Sequence, residues 1–274
     1  MISVKMDLFD IEKLECCYPS HGKPVLYIEK LTIPKGRMTV ILGRSGSGKS
    51  TLLEALGLMN NTIRAGVVSY FSPAGVEDLA QIWCNRKKIG AIRREYFSFI
   101  FQDDYLMPHY TCMENILVTG LIQGKYATAT AGLKMATPLG FLNLSGNGLL
   151  KLLPGQLAGG QKQRLSFARA VIREFDVLFG DEPTGNLDYT NSVSLFDFIK
   201  LVILEKSATA IIVSHNVDLS VEKADRIIVL TPSVNREAAG FVLRPEHIFD
   251  RDDGSLWENF HDPQSLANYI KSIL

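Results

Sequence analysis

One octapeptide constrains this chain more than any other feature. Gly43-Arg44-Ser45-Gly46-Ser47-Gly48-Lys49-Ser50 fits the pattern G-x-x-x-x-G-K-[ST] without a mismatch. It follows an apolar run, Met38–Leu42, and opens a run of helical pattern, Ser50–Met59. A strand, a glycine-rich turn and a helix in that order are the context a phosphate-binding loop requires. The glycines let backbone N–H groups converge on an anion, and the helix dipole adds partial positive charge at the same point. Lys49 is placed to reach the β and γ phosphates of a nucleotide. The Ser50 hydroxyl is placed on a Mg²⁺ ion, with Thr51 beside it at the start of the helix.

Other apolar runs have the length of buried strands: Val67–Phe71, Asp176–Phe179, Ala210–Val213 and Arg226–Leu230. Several alternate with helical stretches such as Gln161–Ile172, which implies an α/β fold with a largely parallel sheet. Two regions break the alternation. Residues 103–153 carry few charges and little strand signal, and read as a helical lobe inserted into the α/β core. From residue 231 onward, Pro232, Pro245 and Pro263 punctuate a segment ending in a short helix near Gln264–Leu274, which reads as an appendage.

The run Asp176–Phe179 continues to Gly180 and then to two carboxylates, Asp181 and Glu182. Ligands of parallel sheets sit at the carboxyl ends of strands. Asp181 is therefore placed to hold Mg²⁺, and Glu182 to accept a proton from an attacking water.

Downstream of the loop, Leu157-Ala-Gly-Gly-Gln161 followed by Lys-Gln-Arg-Leu-Ser-Phe-Ala-Arg-Ala170 resembles the signature segment of ABC-type ATPases. The string Asp181-Glu-Pro-Thr-Gly-Asn-Leu-Asp188 is similar to the same family, and within it to the subgroup that powers lipoprotein release, macrolide export and cell-division signalling. The resemblance covers residues 5–230. It implies a P-loop NTPase core with an N-terminal antiparallel β subdomain and an inserted helical subdomain. The boundaries are then 1–102 and 171–230 for the core, 103–170 for the helical signature subdomain and 231–274 for the appendage.

The resemblance also assigns roles. Gln102, after Phe101, resembles the glutamine that touches Mg²⁺ and the nucleophilic water. His215, after Ser214, resembles the switch histidine that bonds the γ-phosphate. Asp188 resembles the aspartate reaching toward a partner subunit, and Tyr18 the aromatic that stacks on adenine. Ala158, Gly159, Gly160 and Gln161 would meet the γ-phosphate of a nucleotide held by a second copy or a paralogue. The family's usual residue at the position of Ala158 is a serine. Alanine there removes a helix cap and a phosphate donor, leaving the glycine amides and the helix dipole.

The implied activity is ATP hydrolysis with Mg²⁺, by a nucleotide-sandwich dimer driving transmembrane permease subunits or a mechanotransmission complex. The expected place is the cytoplasmic face of the membrane, with the low-charge lobe, especially Asn115–Gln123, as the docking face. The alternative is a soluble ABC ATPase acting on nucleic acid or ribosomes. The net charge is +0, with 29 basic and 29 acidic side chains, so no nucleic acid is expected as a partner. No apolar run approaches the roughly 18–20 residues that span a bilayer, and the N-terminus lacks the apolar core of a signal peptide. The four cysteines, Cys16, Cys17, Cys84 and Cys112, form no CxxC pair, which suggests neither a disulfide framework nor a zinc site.

Overall fold

The computed structural model describes residues 6–19, 22–124, 140, 144, 148–234, 239–251 and 257–274. Among the described residues ten strands form one sheet, in the order β5-β4-β1-β2-β10-β9-β3-β8-β7-β6. The parallel half contains β3 (Met38–Gly43), β6 (Phe97–Ile100), β7 (Val177–Asp181), β8 (Thr209–Val213) and β9 (Arg226–Pro232). The other end is an antiparallel wing of β1 (Asp7–Cys16), β2 (Leu26–Pro34), β4 (Ile63–Ser72) and β5 (Gly75–Asp78).

The apolar runs of the parallel half are continuous because both faces of these strands are covered. On one face Val40, Leu178, Ile212 and Val229 pack with α4 (Gly159–Val171) and α5 (Tyr189–Lys206) through Leu165, Phe167, Phe196 and Ile199. On the other face Ile41, Phe179, Ile211 and Ile228 pack with α1 (Lys49–Leu56) through Leu52, Leu53 and Leu56. The expected strand at Val67–Phe71 lies in the antiparallel wing as part of β4, not in the alternating parallel series. The helix after the loop is shorter than its pattern suggests, since Gly57 closes it and Leu58 follows in the left-handed region at φ 56°.

Two further helices connect the wing to the parallel half and to the signature region, α2 (Arg86–Tyr96) and α3 (Cys112–Ile122). Thr111 and Glu114 cap α3 reciprocally, each side chain meeting the other's backbone N–H. The buried side chains Cys112, Ile116 and Leu157 join the same core as the parallel sheet. Residues 125–139, 141–143 and 145–147 of the expected helical lobe lie outside the described residues.

The region after residue 231 is not an appendage. β10 (Phe241–Asp250) lies inside the sheet, parallel to β2 and antiparallel to β9. Hydrogen bonds from Gly240 N–H to Pro24 O at 3.1 Å and from Phe241 N–H to Val25 O at 3.0 Å start this pairing. The sequence masks the strand because only Leu243, His247 and Phe249 are buried along it and Pro245 interrupts its pattern. Beyond it, α7 (Pro263–Ile273) buries Leu266, Ala267 and Ile270, and packs on α6 (Val217–Lys223). None of the four cysteines forms a disulfide among the described residues. No helix among the described residues is long and apolar enough to cross a membrane.

A bidentate ion pair stitches the centre of this sheet. Arg226 Nε and Nη2 each donate to Asp250 at 2.7 Å, and Arg226 Nη1 donates to Thr32 O at 2.6 Å. The two side chains are only 12% and 18% exposed. Removing one partner from such a pair leaves an uncompensated charge, at a cost of roughly 3–5 kcal/mol. Asp250→Ala should therefore shift the denaturant midpoint down by an amount near the lower end of that range. The double change Arg226→Met/Asp250→Leu should recover most of the loss, which equilibrium unfolding of the two variants will measure.

Candidate functional site

Three strands of the parallel half end at one level. Ile41, Val213 and Asp181 are in register across β3, β8 and β7. The residues immediately after them are therefore delivered to one place: the loop Gly43–Ser50, the pair Ser214–His215, and Glu182. Backbone bonds hold the level, with Ser214 N–H donating to Ile41 O at 3.2 Å and Glu182 N–H to Val213 O at 3.0 Å.

The loop folds as a tight cradle. Gly46 and Gly48 stand at φ 77° and 85°, in the left-handed region that favours glycine. A Cβ on Gly43 would lie 2.4 Å from Ser47 Oγ, so no larger residue fits there. Ser47 Oγ is itself buried without a hydrogen-bond partner among the described residues. Lys49 is 5% exposed, and its Nζ donates to Gly43 O and Arg44 O, both at 3.0 Å. Burial pulls its pKa down, while the nearby Glu182 and Asp181 carboxylates oppose that shift. Tyr18 OH and Thr51 Oγ1 share a hydrogen bond of 2.9 Å, which places the Tyr18 ring against the start of α1.

Ser50 and Asp181, distant in sequence, meet here: Ser50 Oγ donates to Asp181 Oδ1 at 3.0 Å. Burial pushes the Asp181 carboxyl above its ordinary range, and the Ser50 bond acts against that. Glu182 sits at φ 47°, a strained position for a non-glycine residue. Its carboxylate is in close contact with His215 Nε2. One cavity of about 410 Å³ is lined by Tyr18, the loop from Ser45 to Thr51, Glu182 and His215. That volume falls in the ordinary range for small-molecule pockets, roughly 300–1,000 Å³.

Gln102 completes the group. It shares a second cavity with Glu182, Gly185 and His215, and a recess with Asp181 and Glu54. A Cβ on Gly185 would lie 3.3 Å from Gln102 Nε2, so the amide rests against the turn that follows Glu182. The structure thus brings Gln102 beside both carboxylates.

The signature residues stand elsewhere. Ala158 is the N-cap of α4 and makes no side-chain cap bond. The other bond of a capping box remains, with Ala158 N–H donating to Gln161 Oε1 at 2.9 Å. A Cβ on Gly159 would meet nothing within 4 Å. None of Ala158, Gly159, Gly160 and Gln161 lines the cavities described above. Asp188 does local work as the N-cap of α5: Oδ1 accepts from Asn191 N–H at 2.9 Å and Oδ2 from Asn191 Nδ2 at 2.6 Å. These bonds hold its carboxyl below the usual range.

One residue here escaped the motif reading. Gln163 is buried, and its Nε2 donates to Pro183 O at 2.6 Å. It fastens the signature helix to the turn that carries Glu182. Its signal is a polar side chain on the same buried face of α4 as Ser166 and Phe167.

Comparisons with known proteins give the family. Residues 28–185 match the ABC transporter family. The lipoprotein-releasing system ATP-binding protein LolD of Zymomonas mobilis is 37% identical over 201 residues, covering 73% of this chain and 82% of the relative. The macrolide export ATP-binding/permease protein MacB of Photorhabdus laumondii is 34% identical over 223 residues, 81% of this chain and 33% of that longer protein. Among solved structures, a dimeric ATP-binding cassette in a post-hydrolysis state with ADP and Pi superposes with a TM-score of 0.68 at 24% identity. That match covers 81% of this chain and 93% of the other, and it shows a shared fold. The match over more than half the chain, together with relatives above 30% identity along most of its length, makes this chain a member of the ABC transporter family of ATP-binding proteins.

Proposed function

We propose that this chain is the ATP-hydrolysing subunit of a membrane ABC transporter or mechanotransmission complex. Two ATP molecules are sandwiched in a dimer of two copies, or of this chain and a paralogue, and the dimer drives transmembrane partners from the cytoplasmic face. The observation that carries this reading is the division of the site. The cradle, Glu182 and His215 line one cavity, Gln102 and Asp181 border the recesses next to it, and the exposed signature helix end lines none of them. A phosphate-recognising end turned away from its own loop has its use on the loop of another subunit. The relatives named LolD and MacB point to membrane work, and the alternative of acting on nucleic acid gains no support from them. Exposed Leu121 and Ile122 at the end of α3, 60% and 63% accessible, suit the docking of such partners.

The residues fit Mg²⁺ as well as ATP. No cluster of three or more His, Cys, Asp and Glu among the described residues forms a metal cage. Mg²⁺ is ordinarily held by one or two carboxylates with water and substrate phosphate, so Ser50, Asp181 and Gln102 suffice as the protein's oxygens. When bound, the ion supplies neutralisation of the phosphate charge. Lys49 gives up its two carbonyl contacts in favour of phosphate oxygens, an exchange favoured by the stronger charge-assisted bond. Ser47 Oγ gains the partner it lacks. Glu182 accepts a proton from the attacking water, and His215, already against Glu182, orients that water and the γ-phosphate.

Three outcomes test the reading. Glu182→Gln should bind ATP with parent affinity and hydrolyse it on the order of 10²–10³ more slowly, as for loss of one placed polar group. A phosphate-release assay on purified protein measures this, and turnover at the parent rate removes Glu182 from the mechanism. Lys49→Ala should lose nucleotide affinity, read by titration with a fluorescent ATP analogue. For the signature, Ala158→Ser adds a donor worth roughly 1.5–3 kcal/mol to a charged phosphate and a cap worth about 1 kcal/mol. In the Glu182→Gln background it should strengthen ATP-dependent dimerisation in sedimentation experiments, where slow hydrolysis cannot obscure the effect. Equal dimerisation with and without the Ala158→Ser change would leave the glycine amides and the helix dipole as sufficient.

A further inference from the structure

His215 is followed directly by α6, a helix of only 7 residues. Asn216 is its N-cap, accepting from Leu219 N–H at 3.0 Å, and Asn216 N–H donates to Ser214 Oγ at 3.1 Å. The histidine is thus fixed to the helix end by a short, bonded turn. So short a helix has little stability of its own and depends on what it packs against.

Besides the sheet core that takes Val217, Leu219 and Val221, and besides α5, it packs against the C-terminal segment. The last carbonyls of a helix have no partner within it. In α6, Val221 O accepts from Trp257 Nε1 at 3.2 Å and also from Arg251 Nη2. Glu222 O accepts from Arg251 Nη1 at 3.1 Å. The Arg251 guanidinium lies 4.8 Å from the centre of the Trp257 ring, so the two donors hold each other. A cation at this end also suits the helix dipole. At the other end, Lys271 of α7 pairs with Asp218 in the first turn of α6, at 2.6 Å and 2.9 Å. Both ends of the helix that follows His215 are therefore tied to the C-terminal segment, through Arg251, Trp257 and Lys271.

We infer that Arg251 and Trp257 are positioning residues for ATP hydrolysis: by capping α6 they fix His215 against Glu182. Neither touches the nucleotide cavity, and they act through the helix alone. This inference rests on the proposed function of the site.

The test uses the full chain. Trp257→Phe keeps the buried ring and removes only the N–H donor. Arg251→Gln removes the cation, and Arg251→Lys retains it. Misplacing an orienting group by 1 Å costs roughly a hundredfold, so a partial release of α6 should lower kcat about tenfold. KM and the stoichiometry of ATP binding should stay at parent values. Arg251→Lys should keep more of kcat than Arg251→Gln. Phe260→Leu is the control: it loosens the ring contacts with Phe249 and Tyr269 at 5.8 Å and 5.6 Å while removing no hydrogen bond to α6, and should leave kcat unchanged. In a His215→Ala background, followed by single turnover with protein in excess, Trp257→Phe should have no further effect.

A parent kcat in Trp257→Phe overturns the inference, as does an equal fall in the His215→Ala background or in Phe260→Leu. If Trp257→Phe fails to fold, the exposed change Lys271→Gln carries the same comparison, and an unchanged kcat there overturns the inference too. A parent chain that hydrolyses no ATP overturns the functional reading itself. A parent chain that hydrolyses ATP while the capping variants match it overturns this inference alone.

Discussion

Everything at the site depends on the register of three parallel strands. With Ile41, Val213 and Asp181 level, the chain turns out of the sheet at three adjacent places. The cradle, the carboxylates and His215 are then neighbours without any contact between them having to create the arrangement. A shift of two residues in β7 would carry Asp181 away from Ser50 by roughly 6–7 Å, given the rise along a strand. Such a slip is opposed by burial on both faces of β3, β7 and β8, where Val40, Phe179 and Ile212 have no exposed surface. Close packing thus does the work of placing polar groups that never touch the core.

The polar groups themselves are held under tension. Lys49 is buried against two carbonyls, Asp181 is desolvated, and Glu182 occupies a left-handed backbone position. Each of these costs free energy within the protein. The same logic separates the two ends of the site. The loop lines a cavity with Glu182 and His215, whereas Gly159 and Gly160 at the start of α4 line none of the cavities of the site.

Much of this was legible in the sequence because the relevant signals are local. The glycine spacing of residues 43–50, the apolar run closing on Asp181 and Glu182, and Ser214–His215 after Val213 each carry their meaning within about ten residues. Their convergence could be read from strand ends alone. What stayed hidden depends on distant partners. β10 is interrupted by Pro245 and buries few of its side chains, so nothing in its own pattern reveals a place between β2 and β9. Gln163 reads as one more polar helix residue until Pro183 O is seen beside it. Arg251 and Trp257 matter only through carbonyls about 30 residues earlier, and carbonyls leave no mark on a sequence.

The position of β10 also bears on how the chain reaches its folded state during synthesis. In the sheet, β2 has β1 on one side and β10 on the other, while β9 has β10 and β3. The antiparallel wing and the parallel half therefore share no ladder until residues 241–250 have left the ribosome. Before that moment the facing edges of β2 and β9 are open, with unpaired backbone groups ready to accept any strand. The nascent protein is two part-sheets on one thread, and a single late strand closes the seam between them. Such non-local closure is slow and leaves the open edges exposed to mispairing while it is pending. The nucleotide loop waits on a strand made long after it for the sheet that supports it to become whole.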